Sequence, residues 1–433
     1  MNDPILEFNP KLPKLSANEK AVLKLLVEAG KLIVPIYLEQ EKQMKDEISE
    51  KESQEVAKKD KKILSPYTVV EKIDGKIVAT PYHIKYAEAL KPIAEKLNQA
   101  AGITDNKAFG RFLRLQAKAL TEGSYEEAIA AGLQMKPYIL DISIGPVEHH
   151  DDRLFFAKAS YQSWVGVVEK EGTTRLNRYK DTILEVRRKV LIPHQRLENY
   201  SNVKAKVDDV ILFSGHMART KFVGVNLPMN LSFVEKYGSE VTLFNQINDL
   251  RMKEQILPTF NKTFSSAFKK GFSKEDLRRA SLRYVALHEL AHSYLYYKNA
   301  PKNLQDLLAP IYELSATVLG LRMAGSLLLK EMITDKQLES MIVVFICRCF
   351  DLIGKSKGGK SWLNYATGGA IFINFMLESG ALKRLGSLTI ISFTKIFLSL
   401  HDLSSLLEYL LSSGTRKDAE YFIKKYGQFK NLP

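Results

Sequence analysis

Two histidines four residues apart with an acid between them, His288-Glu289-Leu290-Ala291-His292, are the residues of this chain best suited to chemistry. On a helix, positions i and i+4 lie on one face about one turn apart, so both imidazoles can reach a single ion. Neutral imidazole is a favoured zinc ligand. A carboxylate completes the His2Glu set of catalytic sites and leaves the fourth position for water. Glu313, in Tyr312-Glu313-Leu314-Ser315-Ala316, is the candidate third ligand. Glu289 projects at a neighbouring angle and is placed to take a proton from that water. Glu313 stands among Leu307, Leu308, Ile311, Leu314 and Val318, where an unpaired charge is costly. An alternative reading has both histidines on an exposed helix face and Glu313 as a solvated carboxylate. The presence of all three ligand types in the expected order favours the metal site.

The elements that must position these residues are legible nearby. Ser273-Lys274-Glu275-Asp276 has the form of a capped helix start, and apolar residues recur at Leu282, Val285, Ala286, Leu290 and Tyr294. Asn299-Ala300-Pro301 is expected to end that helix; a second apolar-periodic run starts near Leu304 and passes Leu321. Residues 17 to 60 read as one long helical segment kinked at Pro35, with a charged run from Glu39 to Lys62 as a solvated helix or connector. Val69-Val70 and Ile77-Val78 around Asp74-Gly75 suggest a hairpin. Helical periodicity resumes from about 82 to 131, with Gly102 and Gly110 as interruptions.

Between about 138 and 248 the texture turns β-rich. Leu140, Ile142 and Ile144 alternate with polar residues until Gly145-Pro146 ends the run; Val165 to Val168 and Val207 to Phe213 are further strands. From Ser273 the pattern is helical again, apart from a loop at 354 to 361. The expected division is a mainly helical region over 1–137, a β-containing lobe over 138–250 and a helical, metal-binding lobe over 251–433. The fold class is α+β and predominantly helical, and a cleft between the β-containing and helical lobes would suit an extended peptide.

Composition limits the alternatives. A chain of 433 residues exceeds a typical single domain, and 45% apolar content supplies a large core. Cys347 and Cys349, one residue apart in an apolar run, suit neither a disulfide framework nor a four-ligand zinc site and read as buried thiols of a reducing cytoplasm. Residues 1 to 13 lack the apolar run of a signal peptide, and stretches such as 388 to 400 are too short to span a bilayer, so a cytoplasmic protein without a membrane partner is expected. The net charge of +14 is spread along the chain with lysines often beside glutamates, which argues against nucleic acid as the primary partner. His194 and His216 have no partner at ligand spacing.

Several segments together resemble the dipeptidyl-peptidase III family of zinc peptidases. They are Ile144-Gly145-Pro146-Val147-Glu148-His149-His150-Asp151-Asp152-Arg153-Leu154-Phe155, Gly224-Val225-Asn226-Leu227-Pro228, the run His288 to His292, and Tyr312 to Thr317. The resemblance implies two lobes with a wide cleft, zinc held by His288, His292 and Glu313, and Glu289 as general base. It further implies that Glu148 and Asn226 hold the free N-terminus of an oligopeptide, so that cleavage releases dipeptides. The chain departs from the family pattern in four places. It has a five-residue HExxH instead of HExxGH, and Tyr312, Ser315 and Thr317 stand where further acids and an arginine are usual. Met229 replaces an asparagine, with Asn230 adjacent, and Asn364-Tyr365-Ala366-Thr367 lacks the late histidine. Tyr365 is then the candidate hydrogen-bond donor to the reaction's oxyanion. The expected function is a zinc-dependent exopeptidase; a catalytically impaired relative that still binds zinc and peptide is the alternative.

Overall fold

The computed structural model describes residues 4–43, 48, 50–149, 158–190, 202–228, 230–295, 297–356 and 360–429. The chain is α+β and mainly helical, and it divides into two compact units. The first comprises Met1–Thr173, Lys206–Phe222 and Leu227–Glu240; the second comprises Thr174–Ala205, Val223–Asn226 and Val241–Pro433.

In the first unit, the expected long N-terminal helix is three helices: Ala17–Lys31, Val34–Gln43 and Glu50–Ala57. Pro35 begins the second helix instead of kinking a continuous one, because a proline in the first turn loses no intrahelical bond. The expected hairpin is present: β2 (Thr68–Ile73) pairs antiparallel with β3 (Lys76–Pro81), after the short β1 (Ile5–Glu7). Its turn residues Asp74 and Gly75 both take positive φ, 50° and 76°, as a type I′ turn requires. Gly102 and Gly110 do not interrupt the helices that follow. They lie inside Ala87–Ile103 and Lys107–Glu122, and the break falls at Thr104–Asn106, where Asn106 caps the second helix.

Strands β4 (Leu140–His149), β5 (Ala159–Val168) and β6 (Val203–Gly215) are antiparallel neighbours, with β1 also on β6. Gly145-Pro146 does not end β4. Gly145 adopts φ +133°, a conformation open to glycine, and a bulge between Pro146 and Glu148 absorbs the irregularity. One face of these strands packs on the helices: Ile142, Ile144, Tyr161, Val165 and Leu212 share a buried cluster with Leu23, Leu26, Leu90, Ile93 and Leu113.

β7 (Gly224–Leu227) and β8 (Ser239–Phe244) contribute Gly224 to Asn226 and Val241 to Phe244 to the second unit, where Phe244 N donates to Val223 O at 2.8 Å. The segment expected to be β-rich also contains a helix, Lys170–Val190. The helical remainder contains Asn245–Arg251, a π turn Met252–Ile256, Lys274–His292, Leu308–Leu329, Asp335–Gly354, Lys360–Glu378, Phe393–Ser412 and Arg416–Tyr426. A small hairpin, β9 (Leu382–Leu385) with β10 (Leu388–Ile391), interrupts the stretch expected to be wholly helical. Residues Ala300–Leu329 are long and apolar enough to cross a bilayer by composition, but 67% of the apolar window is buried inside the fold, as in a core helix. Cys347 and Cys349 are free and buried, and burial pushes both thiols above their ordinary pKa.

Candidate metal centre

The helix Lys274–His292 carries the motif. Ser273 caps it reciprocally with Asp276, as the sequence suggests, and Leu277, Ala280, Val285, Ala286, Leu290 and Ala291 bury one side. The opposite side presents Tyr284, His288, Glu289 and His292, all partly accessible. The helix ends at His292, seven residues before the Asn299–Pro301 stop expected from sequence; Asn299 instead leads into the short helix Ala300–Leu304. Helix Leu308–Leu329 brings Glu313 to the same place, and it can approach closely because residue 320 has no side chain. A Cβ on Gly320 would lie 2.9 Å from Leu287 C and 3.1 Å from His288 N, closer than packing tolerates.

Three potential ligand atoms converge. His288 Nε2 lies 3.2 Å from His292 Nε2, and Glu313 Oε2 lies 3.4 Å and 3.7 Å from the two nitrogens. Zinc with bonds of about 2.0–2.1 Å has tetrahedral ligand–ligand edges of about 3.3–3.4 Å, so the triangle has the size of one face of such a shell. The donor set and its spacing fit the ion. His288 Nδ1 is 2.9 Å from Thr317 Oγ1, which leaves Nε2 as the inward nitrogen, and Tyr284 Oη lies 3.5 Å beyond Thr317 Oγ1. The His292 ring stands 5.0 Å from that of Tyr312. Burial pushes the Glu313 carboxyl up, but His292 and His288 outweigh it and hold the group well below the usual carboxylate range. Burial pushes His292 down, and Glu313 more than reverses this.

Glu289 is placed by contacts on its other side. A Cβ on Gly224 would come within 2.9 Å of Glu289 Cγ, so only glycine lets β7 run this close to the acid. Burial raises the pKa of Glu289, against the influence of His288, His292 and Arg251, toward the range useful to a general base. Asn226, on β7, donates from Nδ2 to Glu289 O at 2.9 Å and Ser293 Oγ at 2.7 Å. A carbonyl can only accept, so this pairing fixes the orientation of the amide and leaves Oδ1 as its outward acceptor. Asn226 therefore joins the motif helix, a role that its sequence context did not signal.

The other expected residues are placed as follows. Tyr365 lies on helix Lys360–Glu378, one turn before Gly368, whose Cα side meets Pro310 O and Leu314 on the ligand helix. Tyr365 itself is partly accessible. Glu148 is on β4 in the first unit, opposite Ser160; its side chain, with His150 to Phe155, Met229 and His194, lies outside the described residues. Asn230 caps helix Leu231–Tyr237, its Oδ1 accepting from Ser232 N at 3.0 Å. His216 is a core histidine beside Tyr37 and Phe222, and burial lowers its pKa to about 4. Gly224 and Thr317 fall in segments of family resemblance and Gly320 outside them, but no local pattern gave any of the three a role, which depends on the helix or strand that passes beside it.

No family model matches the chain. Among solved structures, dipeptidyl-peptidase III from Caldithrix abyssi superposes with a TM-score of 0.83 at 19% identity, covering 96% of this chain and 91% of that one. Dipeptidyl-peptidase III from Corallococcus sp. strain EGB gives 0.82 at 20% identity, covering 98% and 91%. The chain has the dipeptidyl-peptidase III fold. Among curated proteins, Nudix hydrolase 3 of Arabidopsis thaliana is 23% identical over 368 residues, which are 81% of this chain and 46% of that protein. The chain therefore spans about half the length of that relative.

Proposed function

We propose that this chain is a zinc-dependent exopeptidase that releases dipeptides from the N-terminus of oligopeptides. The observation that carries the reading is the convergence of His288, His292 and Glu313 on a triangle of zinc dimensions with Glu289 beside it. Zinc, when bound, supplies Lewis acidity toward a peptide carbonyl and toward water. Glu289 takes a proton from the attacking water on a carboxylate oxygen and passes it to the leaving amine nitrogen, so one water is consumed for each peptide bond broken. Tyr365 donates to the carbonyl oxygen as charge develops there. Asn226 Oδ1 accepts from the peptide's terminal ammonium, which sets the count of two residues.

Product analysis by mass spectrometry tests this directly. Zinc-loaded protein given a mixed oligopeptide pool releases dipeptides and leaves N-terminally blocked peptides whole; cutting of the blocked peptides would mean an endopeptidase. Glu289→Gln lowers turnover by about a hundred- to ten-thousand-fold while zinc stays bound. Unchanged turnover in that variant overturns the mechanism. Tight peptide binding without any product favours the catalytically impaired reading, which the replacement of the late histidine by Tyr365 motivates.

A further inference from the structure

Helix Asn245–Arg251 ends on a guanidinium that has no partner: among the described residues, no hydrogen bond or ion pair uses the Arg251 side chain. Its place is fixed from both sides. One turn before it, Asn248 Nδ2 donates to Arg278 O on the motif helix at 3.1 Å. One turn after it, in the π turn Met252–Ile256, Gln255 Oε1 accepts from Arg348 Nη1 of helix Asp335–Gly354 at 2.6 Å. Those two helices meet alongside where the Tyr284 ring stacks on Phe345, with centroids 5.4 Å apart. Arg251 therefore lies against the partly accessible side of the motif helix that presents Tyr284, His288 and Glu289. Glu289 and Tyr284 are among the groups whose charge reaches it.

No acid is ion-paired with Arg251 among the described residues. Arg348 and Lys355 share one carboxylate oxygen of Asp351, at 2.8 Å and 2.9 Å, so that acid is already engaged by two cations. Glu289 forms no ion pair with Arg251 and is held for the proton. Arg251 is the cation here that has no ion pair of its own among the described residues. Burial, with the like charge of Arg348 behind it, lowers its pKa to about 9, which leaves it charged at neutral pH. A guanidinium has five donors and no acceptor, and it is costly to withdraw from water unpaired. Its planar fork matches a carboxylate bidentately. Arg251 itself remains partly accessible, so a ligand can reach it.

We propose that Arg251 is the receptor for a substrate carboxylate, so that the site prefers peptides bearing a negative charge near the bond to be cut. The proposal rests on the peptidase reading above. The carboxylate has two possible sources, the C-terminus of a short peptide or an acidic side chain. Zinc-loaded Glu289→Gln protein, which leaves peptides whole, is titrated calorimetrically with tetra-alanine amide, tetra-alanine free acid, and an amide with glutamate at the third position. One charged peptide binds about 10- to 100-fold tighter than the neutral amide, and which one does so identifies the source. Adding Arg251→Gln removes the preference without loss of zinc, and Arg251→Lys retains part of it. Equal affinity for all three peptides, or a preference that survives Arg251→Gln, overturns the proposal and leaves the peptidase reading standing. If no peptide binds the zinc-loaded protein, both fall together.

Discussion

Each unit holds a group of charged side chains, and the two groups are completed in opposite ways. In the first unit, a lysine fills the space between acids on neighbouring strands. Lys206 Nζ lies 2.8 Å from Asp141 Oδ1 and 2.5 Å from Glu240 Oε1, and Trp164 Nε1 donates to Asp141 Oδ2 at 2.9 Å. Burial works against the Lys206 ammonium, and Asp141 with Glu240 more than offsets it, so its pKa lies above the ordinary value. In the second unit, two imidazoles and a carboxylate converge, and among the described residues no lysine or arginine is ion-paired with Glu313. His288 and His292 keep 15% of their side chains accessible and Glu313 keeps 24%, which is enough for entry from solvent. A cluster that serves the fold carries its own counter-ion; a cluster that serves chemistry leaves that place to something from outside.

The sharpest way to break this contrast is to remove one member from each group. Lys206→Met leaves Asp141 and Glu240 facing each other without their cation and should cost about 3 kcal/mol, read from the urea midpoint. His288→Ala in metal-free protein should change that midpoint less, because His292 stays beside Glu313 and keeps the larger attraction to that carboxylate. Comparable losses in both variants would mean that the second cluster is structural too. A smaller effect tests what orients it. Thr317→Val removes the hydroxyl beside His288 Nδ1 and should weaken zinc binding about 10- to 100-fold in competition with a chelating dye, while Thr317→Ser keeps most of the affinity. Equal affinity in the valine variant would show that the ring is held by packing alone.

Legibility in the sequence followed how local each cause is. The capped start at Ser273, the spacing of His288 and His292, and an acid in an apolar run at Glu313 are all readable within a few residues, and the chain places them as expected. The α+β, mainly helical class was equally visible, because long periodic runs dominate from Ser273 onward. Helix Lys170–Val190 went unread between two strands, although Leu176, Tyr179, Ile183, Val186 and Val190 recur at helical spacing. Gly145-Pro146 read as a stop because the glycine conformation and bulge that carry β4 past them depend on pairing with β5. Gly320, Gly224 and Thr317 matter through a neighbour distant in sequence, which no local pattern encodes.

The first cluster has one flaw, and pH should expose it. Asp208 is fully buried, and neither of its oxygens has a hydrogen-bond partner. Burial raises its pKa well above the ordinary value, and the charge of Asp141 adds to the effect while Lys206 opposes it. The folded chain therefore binds this proton where the unfolded chain, titrating near 3.9, has already lost it. Between those two values the native state holds more protons, so stability falls as pH rises, by at most about 1.4 kcal/mol per pH unit. Asp208→Asn keeps the shape and cannot ionise, so its advantage over the parent should be absent below the unfolded value and grow as pH rises above it. Urea midpoints of the two proteins at pH 5, 6.5 and 8 check this. A constant difference across that range would mean that Asp208 is already charged in the fold, and the first cluster would then be less closed than its lysine makes it look.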